Sequence, residues 1–238
     1  GRLTVGAGGA GVKRVQEWLN LHGIGIVVDG SFGPVTRQAV TQFQTSQGLP
    51  ASGDVDAATY ARLVEPMVSV LQRRNNAGPN LPAALLAYAA AHLAVHPIEV
   101  GGQNCGPWVR LYTQGHEGAP WAWCAGFVSF LMRQAAETLG LDPPIRGSVS
   151  CDSLAAQARD QGRFRTEAEA RQQGVPDGSI FLVRRTSTDW THTGIVTGTQ
   201  HDAFTTVEGN TNDEGSREGF EVCARLRGYA DKDFILLG

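Results

Sequence analysis

The sequence predicts an α+β protein in which a small three-helix bundle precedes a domain with helices packed on a small antiparallel sheet. Apolar residues recur at helical spacing in the first sixty-odd residues. Beyond Gly140 they form short runs rich in β-branched and aromatic residues, bounded by Gly, Asp and Asn. With 238 residues the chain is long enough to build two cores. We therefore expect domains at residues 1–66 and 81–238, joined by a linker at residues 67–80.

An internal repeat organises the first predicted domain. Residues 30–40 align with residues 53–63, and both copies carry a glycine, an apolar residue, a threonine and a final apolar residue at equal offsets. Each copy is typical of a turn that leads into a helix. Ahead of both copies, Val12, Val15 and Leu19 follow helical spacing. Because three short helices cannot bury their apolar faces alone, we expect them to pack into one bundle.

A stretch of irregular sequence separates the two predicted domains. Residues 65–81 contain two prolines, paired asparagines and Gly78, which break any regular period. Pro82 then opens an alanine- and leucine-rich stretch that predicts a buried helix ending at Pro97. Five later runs predict the strands of the sheet, at residues 179–183, 192–196, 203–209, 220–227 and 233–237.

Charge and hydropathy limit the possible partners. The formal net charge is -3 and the sequence has no long basic run, which argues against nucleic acid or an anionic membrane as partner. No apolar stretch is long enough to span a bilayer, and the N-terminus lacks the basic and apolar parts of a signal peptide. Since the chain starts at Gly1 without a methionine, a trimmed upstream segment and export stay open alternatives. We expect a monomer.

Four cysteines, Cys105, Cys124, Cys151 and Cys223, form no CxxC pair and no zinc-binding pattern. If one of them is a working thiol, at most one disulfide can form among the other three. The redox compartment therefore stays open, and we expect neither a metal nor another cofactor.

The stretch "APWAWCAGFV" contains a candidate nucleophile. Cys124 precedes Phe127, Val128 and Leu131 at helical offsets, which places it at or just before the first turn of a buried helix. The unpaired N–H groups and the helix dipole at such a position favour a thiolate over a thiol. A thiolate that transfers acyl groups also needs an imidazole to handle the proton and a third group to orient that imidazole.

His192 is the best placed of the six histidines, because it opens a predicted strand that could aim it at a helix terminus. Glu208 and Asn210 lie two residues apart, so an extended backbone directs both side chains to the same face. Either could orient His192, and the sequence does not decide between them. Singly, Cys124 and these three residues are also explained as core, surface or turn residues. Their joint occurrence in one domain favours catalysis.

Two segments of the chain resemble known families. "VKRVQEWLN", "DGSFGPVTRQAVTQFQ" and "GLPASGDVDAATYARL" resemble the small helical peptidoglycan-binding domain often attached to cell-wall hydrolases, over about residues 12–63. This resemblance implies that the partner is bacterial cell-wall peptidoglycan. Turn and cap chemistry alone can also explain Asp29, Gly30, Phe32 and Thr36.

From about residue 82 to the C-terminus, "IEVGGQNCGPWVRLYTQG", "APWAWCAGFVSFLM", "PDGSIFLV", "THTGIVTG" and "VEGNTNDEGSREG" resemble the CHAP family of cysteine- and histidine-dependent amidohydrolases and peptidases. The resemblance implies a papain-like fold, Cys124 as nucleophile, His192 as base, and Glu208 and Asn210 as the polar positions that follow.

The chain departs from this family at the oxyanion site. A polar residue often precedes the family's cysteine, whereas this sequence has Trp123, so only the backbone of Trp123 and the N–H of Cys124 are obvious donors. Tyr112 and Asn104 are candidate substitutes. The closely spaced aspartates with which some relatives bind calcium are missing near Cys124.

Together these features predict a hydrolase that acts at the bacterial cell wall and cuts an amide. The bond could be the N-acetylmuramoyl–L-alanine amide or a peptide bond of the stem or crossbridge. Two alternatives stay open: a wall-binding protein with a degenerate hydrolase domain, and a cysteine hydrolase of a non-wall amide. Phage lysin, remodelling enzyme and delivered toxin are all compatible with the sequence.

Overall fold

The computed structural model describes residues 1–212 and 219–238. Residues 213–218, which belong to the quoted stretch "VEGNTNDEGSREG", lie outside the described residues. The helices are α1 Ala10–Leu21, α2 Pro34–Ser46, α3 Ala57–Leu71, α4 Leu81–Val95, α5 Pro107–Tyr112, α6 Cys124–Leu139, α7 Cys151–Asp160 and α8 Glu167–Gln173. The strands are β1 Phe164–Arg165, β2 Ile180–Thr186, β3 Asp189–Thr199, β4 Ala203–Thr211, β5 Glu221–Gly228 and β6 Lys232–Ile235. The predicted α+β class is confirmed.

The first three helices pack on one another, as the sequence predicts. Val15 and Leu19 of α1, Phe43 of α2 and Leu63 of α3 are at most 1% exposed and belong to one apolar cluster. α3 has a capped start, because the Asp56 side chain accepts a hydrogen bond from the backbone N–H of Thr59 at 2.8 Å.

Each copy of the internal repeat is fastened by a buried glutamine from the preceding helix. Gln16 Oε1 accepts from the backbone N–H of Gly30 at 2.7 Å, and its Nε2 donates to the Thr36 hydroxyl at 3.2 Å. Gln44 repeats the pattern with Gly53 at 2.9 Å and with the Thr59 hydroxyl at 3.0 Å. Both glycines have positive φ, which glycine adopts without steric cost. The turn therefore owes its shape to a side chain that the repeat alignment does not include.

The third helix is longer than the sequence predicts. α3 continues through Pro66 to Leu71, so the prediction of irregular structure from residue 65 is wrong for its first part. Proline removes one helical hydrogen bond, but burial of Leu63 and Val70 on either side stabilises the helix. Asn80 then caps α4 by accepting from the backbone N–H of Ala83 at 3.0 Å. The division into two domains at residues 67–80 stays a prediction.

The second part of the chain is layered, with α6 at its centre. The six strands form one antiparallel sheet in the order β1-β6-β2-β3-β4-β5. α6 packs against β3 and β4 and against α4, and α4 itself also contacts β3, β4 and β5. A separate apolar cluster includes Phe181, Phe204 and Phe234 of the sheet together with Ala170 of α8. The layered arrangement fixes the N-terminus of α6 close to β3 and β4.

Helix α5, which the sequence did not predict, joins the bundle to the rest of the molecule. Arg110 of α5 donates to both carboxylate oxygens of Glu17 on α1, at 3.1 and 2.6 Å, and Glu17 is fully buried. The Trp18 and Trp108 rings meet edge to face, with centroids 5.9 Å apart. A buried ion pair with two hydrogen bonds fixes the orientation of α1 on α5.

No helix of the described residues is both long and apolar enough to cross a membrane.

Candidate active site

Cys124 is the first residue of α6, as the sequence predicts, and only 5% of the residue is exposed. Trp123 precedes it at the N-cap position, and its side chain makes no capping hydrogen bond. The helix start can pack this closely because residue 126 is glycine: a Cβ there would lie 2.5 Å from the Tyr112 carbonyl oxygen. Cys124 thus lies at the positive end of a helix whose first N–H groups are open to a charged partner.

His192 lies on β3, 3% exposed, and its Nε2 is 2.8 Å from Oε2 of Glu208 on β4. Because an ionised carboxylate only accepts hydrogen bonds, Nε2 carries the proton of this pair. The second nitrogen, Nδ1, is buried and has no partner at full hydrogen-bond geometry among residues 1–212 and 219–238. The ring is nevertheless close enough to Cys124 for each group to shift the pKa of the other. Nδ1 is therefore the nitrogen left to exchange a proton with the sulfur.

Glu208 is held from a second side by Arg227 of β5. Arg227 donates from Nε to Oε1 at 2.8 Å and from Nη2 to Oε2 at 2.6 Å, and the Thr206 hydroxyl donates to Oε1 at 2.5 Å. Burial raises the pKa of Glu208, but the hydrogen bonds and charges of Arg227 and His192 outweigh it and lower this pKa to about 2. Glu208 is therefore ionised at every pH at which the protein would work.

The charges at the site favour a thiolate and an imidazolium. The contact with the neighbouring Cys151, 3.9 Å away between the two sulfurs, lowers the pKa of Cys124 most, and His192 lowers it further against the effect of burial. Burial lowers the pKa of His192, but the contacts with Cys124 and Glu208 outweigh it and raise that pKa to about 9. These pKa shifts favour a thiolate–imidazolium pair at neutral pH, which is the ionisation state that a cysteine nucleophile requires.

Asn210, the second candidate to orient His192, has a different position from the one predicted. It is buried, but its φ is 55°, and the pairing of β4 with β5 shifts register between Glu208 and Thr211. Strict alternation of side chains therefore does not hold between residues 208 and 210. Of the two residues proposed from the sequence, Glu208 makes the hydrogen bond with His192.

The candidate oxyanion donors are engaged elsewhere. The Tyr112 hydroxyl is 2.7 Å from Nδ1 of the buried His92, and Asn104 donates from Nδ2 to the Ala119 carbonyl oxygen at 3.1 Å. The Trp123 indole donates to Oε1 of Glu99 at 2.8 Å and stacks on Tyr112, with ring centroids 5.4 Å apart. These contacts give Tyr112, Asn104 and Trp123 a role in fixing the loop before Cys124.

Sequence reasoning missed three residues that shape the site. Arg227 and Cys151 carry no local signal, because only the register of β5 and the packing of α7 bring them to it. Gly194, two residues after His192, makes room for Glu208: a Cβ at this position would lie 2.7 Å from Glu208 Cγ. A glycine inside a predicted strand is the signal that could have indicated such a close approach.

Across the described ranges, no three His, Cys, Asp or Glu side chains gather into a group that could hold a metal ion. All four cysteines are free thiols.

Comparison with known proteins concerns the helical bundle. Residues 8–63 match the family described as "Putative peptidoglycan binding domain". The chain carries an N-terminal peptidoglycan-binding domain. Over 68 residues the chain is 34% identical to the zinc D-Ala-D-Ala carboxypeptidase of Streptomyces albus G. This match covers 27% of this chain and 27% of that protein. The chain thus spans about a quarter of the length of this curated relative.

Among solved structures, the SleB N-terminal domain is 36% identical and is similar over 27% of this chain and 90% of its own length, with a TM-score of 0.27. The match to the family model over residues 8–63 confirms the predicted peptidoglycan-binding domain. The geometry of Gln16, Gly30 and Thr36 gives these peptidoglycan-binding-domain positions a structural role.

Proposed function

We propose that the protein is a peptidoglycan hydrolase that cleaves an amide bond of the bacterial cell wall with Cys124 as nucleophile. The observation that carries this proposal is the arrangement at the start of α6: a cysteine with a lowered pKa beside a histidine that is hydrogen-bonded to an ionised glutamate. A nucleophile, a base beside it and a carboxylate that orients the base are the groups that acyl transfer requires. The sequence resemblance to the CHAP family points to the same chemistry.

In the proposed reaction the Cys124 thiolate attacks the carbonyl carbon of the amide, and the carbonyl oxygen becomes the oxyanion of a tetrahedral intermediate. The backbone N–H of Cys124 at the helix start is the donor available to this oxyanion. The His192 imidazolium then donates its proton to the leaving amine, so the C–N bond breaks and the acyl group stays on sulfur.

Hydrolysis of the thioester completes the cycle. Neutral His192 accepts a proton from water, whose oxygen attacks the acyl carbon, and collapse of the second intermediate releases the acid and restores the thiolate. Glu208 stabilises each imidazolium state through its hydrogen bond to Nε2. Arg227 keeps Glu208 ionised and in place.

The N-terminal domain would hold the protein on its substrate. A module that binds insoluble peptidoglycan holds the second part of the chain at a high effective concentration of wall amides, so even a weak binder increases the rate. The contact of Arg110 on α5 with Glu17 on α1 fixes the N-terminal domain against the rest of the chain, so the two move little relative to each other. We therefore place the action of the protein at the cell wall.

Lysis of purified peptidoglycan by the full chain tests the proposal. The parent should reduce the turbidity of a wall suspension, and Cys124→Ala should be inactive while still sedimenting with the wall. Cys105→Ala, which removes a thiol away from His192, is the matched control and should remain active. Lysis by Cys124→Ala at the parental rate would overturn the nucleophile, and an inactive parent that sediments with the wall would favour the degenerate-hydrolase alternative.

The fragments released would identify the bond. Mass spectrometry of the soluble products should show free stem peptide if the N-acetylmuramoyl–L-alanine amide is cut, and shortened or uncrosslinked stem peptides if a peptide bond is cut. A parent that hydrolyses soluble amides but neither sediments with the wall nor releases fragments would favour a non-wall substrate.

A further inference from the structure

A second thiol adjoins the candidate nucleophile from a different helix. Cys151 is the first residue of α7, and its sulfur lies 3.9 Å from that of Cys124, at the start of α6. Both residues are buried, with 8% and 5% of their surfaces exposed. Two helices separated by a long loop thus bring their N-terminal cysteines to one point. The mechanism above does not use Cys151, although its thiol contacts the reacting sulfur.

The position of Cys151 is well defined. The Ser150 side chain caps α7 by accepting from the backbone N–H of Ser153 at 3.3 Å. The next residue, Asp152, accepts from the backbone N–H of Trp190 on β3 at 2.7 Å. The side chain of Asp152 therefore links the start of α7 to the strand that carries His192, and this contact helps to set the distance between Cys151 and that strand.

The groups around the two sulfurs decide which of them keeps its proton. Cys124 has the imidazole of His192 and the backbone N–H of Ala125 beside it, and both favour negative charge on its sulfur. Cys151 has the Asp152 carboxylate nearby, which disfavours a second negative charge. The contact with Cys124 and burial raise the pKa of Cys151, whereas that of Cys124 is lowered. At neutral pH the pair consists of one thiolate and one thiol.

We propose that Cys151 is a positioning residue whose S–H group donates a hydrogen bond to the Cys124 thiolate and holds it ready for attack. The inference rests on the proposed function, since it concerns the same nucleophile. The proton stays on Cys151 throughout the reaction, and no bond to its sulfur forms or breaks. A donor of this kind enlarges the fraction of Cys124 that is ionised in acid. Because a thiolate of lower pKa is also a weaker nucleophile, the donor lowers the rate at full ionisation about threefold for one pKa unit.

The rate of Cys124 alkylation by iodoacetamide between pH 3 and 8 tests this directly, with the adduct assigned to Cys124 by peptide mass spectrometry. The acidic limb is the part of the pH–rate curve in which the alkylation rate rises as Cys124 ionises. In Cys151→Ala this limb should lie about one pH unit higher, which makes the ionised fraction about tenfold smaller at a fixed acidic pH. Because the thiolate is then also the stronger nucleophile, alkylation at that pH should be about threefold slower. Cys151→Ser keeps a donor and should restore the parental limb. Cys105→Ala is the control and should not move it.

The proposal would be overturned if the acidic limb of the alkylation curve kept its position in Cys151→Ala. It would also be overturned if the limb shifted as far in Cys151→Ser as in Cys151→Ala. A lower plateau rate without a shift of the limb would overturn it too, because that is the sign of a merely structural role. If Cys151→Ala does not fold, Cys151→Val replaces it as a donor-free variant of similar size. Alkylation needs no wall substrate, so lysis by Cys124→Ala would overturn the proposed function and leave this result standing.

Discussion

Arg227 binds both carboxylate oxygens of Glu208, at 2.8 and 2.6 Å, while Glu208 accepts the hydrogen bond of His192 at 2.8 Å. The glutamate therefore lies between two cationic groups and is itself fully buried. Such a carboxylate resists protonation and rotation, so His192 has one orientation and one tautomer. Replacing Arg227, Glu208 or His192 should therefore change the reactivity of Cys124, the proposed nucleophile.

Replacement of Glu208 by glutamine should reduce wall lysis by about 10²–10⁴-fold, because the neutral amide neither stabilises the imidazolium nor selects the tautomer of His192. Initial rates of turbidity loss measure the effect. Glu221→Gln is the matched control: Glu221 is a largely buried glutamate on β5 that pairs with His96 at 2.5 Å. Equal losses in the two variants would contradict the role assigned to Glu208.

Replacement of Arg227 by methionine should destabilise the fold at neutral pH and make its stability depend less on pH in the acidic range. The pKa of Glu208 is lowered to about 2 from its ordinary 4.5, so its contribution to stability is complete above pH 4.5 and is lost as the pH falls toward 2. That contribution is on the order of 3 kcal/mol for the whole shift. Without Arg227 the folded-state pKa of Glu208 rises toward 4.5, so part of this contribution is already missing at neutral pH and less of it remains to be lost in acid. The stabilities of the variant and the parent should therefore converge as the pH falls.

Urea unfolding of Arg227→Met between pH 3 and 7 checks this. Arg185→Met, which removes an exposed arginine paired with Asp189 on another strand pair, is the control and should unfold as the parent does at each pH. Parallel pH curves for Arg227→Met and the parent would contradict the prediction.

The pH profile of hydrolysis should fall on its alkaline side near pH 9. The pKa of His192 is raised from 6.5 to about 9, so the imidazolium persists to that pH and then loses the proton needed by the leaving amine. Above it, kcat/KM on soluble peptidoglycan fragments should decrease about tenfold per pH unit. The lowered pKa of Cys124 keeps the thiolate ionised on the neutral side.

Circular dichroism at the same pH values would show that the protein stays folded. An alkaline decline that starts near pH 7 would mean that His192 is not held as an imidazolium by Cys124 and Glu208.

Replacement of Gln44 by alanine should destabilise the N-terminal domain by about 1–3 kcal/mol, because the buried N–H of Gly53 and the Thr59 hydroxyl lose their partner. Retention on insoluble peptidoglycan should decrease at temperatures near the unfolding transition. Gln38→Ala on the exposed face of the same helix is the control and should behave as the parent does. An unchanged unfolding free energy of Gln44→Ala would show that the glutamine does not hold the repeat turn.

Local patterns were sufficient to predict much of this protein. Helical spacing and the following apolar run predicted that a helix begins at Cys124, and α6 begins there. Short runs rich in β-branched and aromatic residues predicted five strands, and the structure has a strand in each of those runs plus the two-residue β1. Such patterns depend only on residues a few positions apart, so they can be recognised without knowing how the chain folds.

The sequence by itself determined the α+β class, the repeat in the first domain and the candidate trio of Cys124, His192 and a polar residue after it. Only the tertiary structure decided that Glu208 bonds His192, that Arg227 holds Glu208, and that Cys151 adjoins Cys124. Those contacts depend on strand register, on an irregularity in β4 and on the packing of α7. Long-range pairing of this kind is set by the whole core, because a shift of one residue in register moves every side chain to the other face.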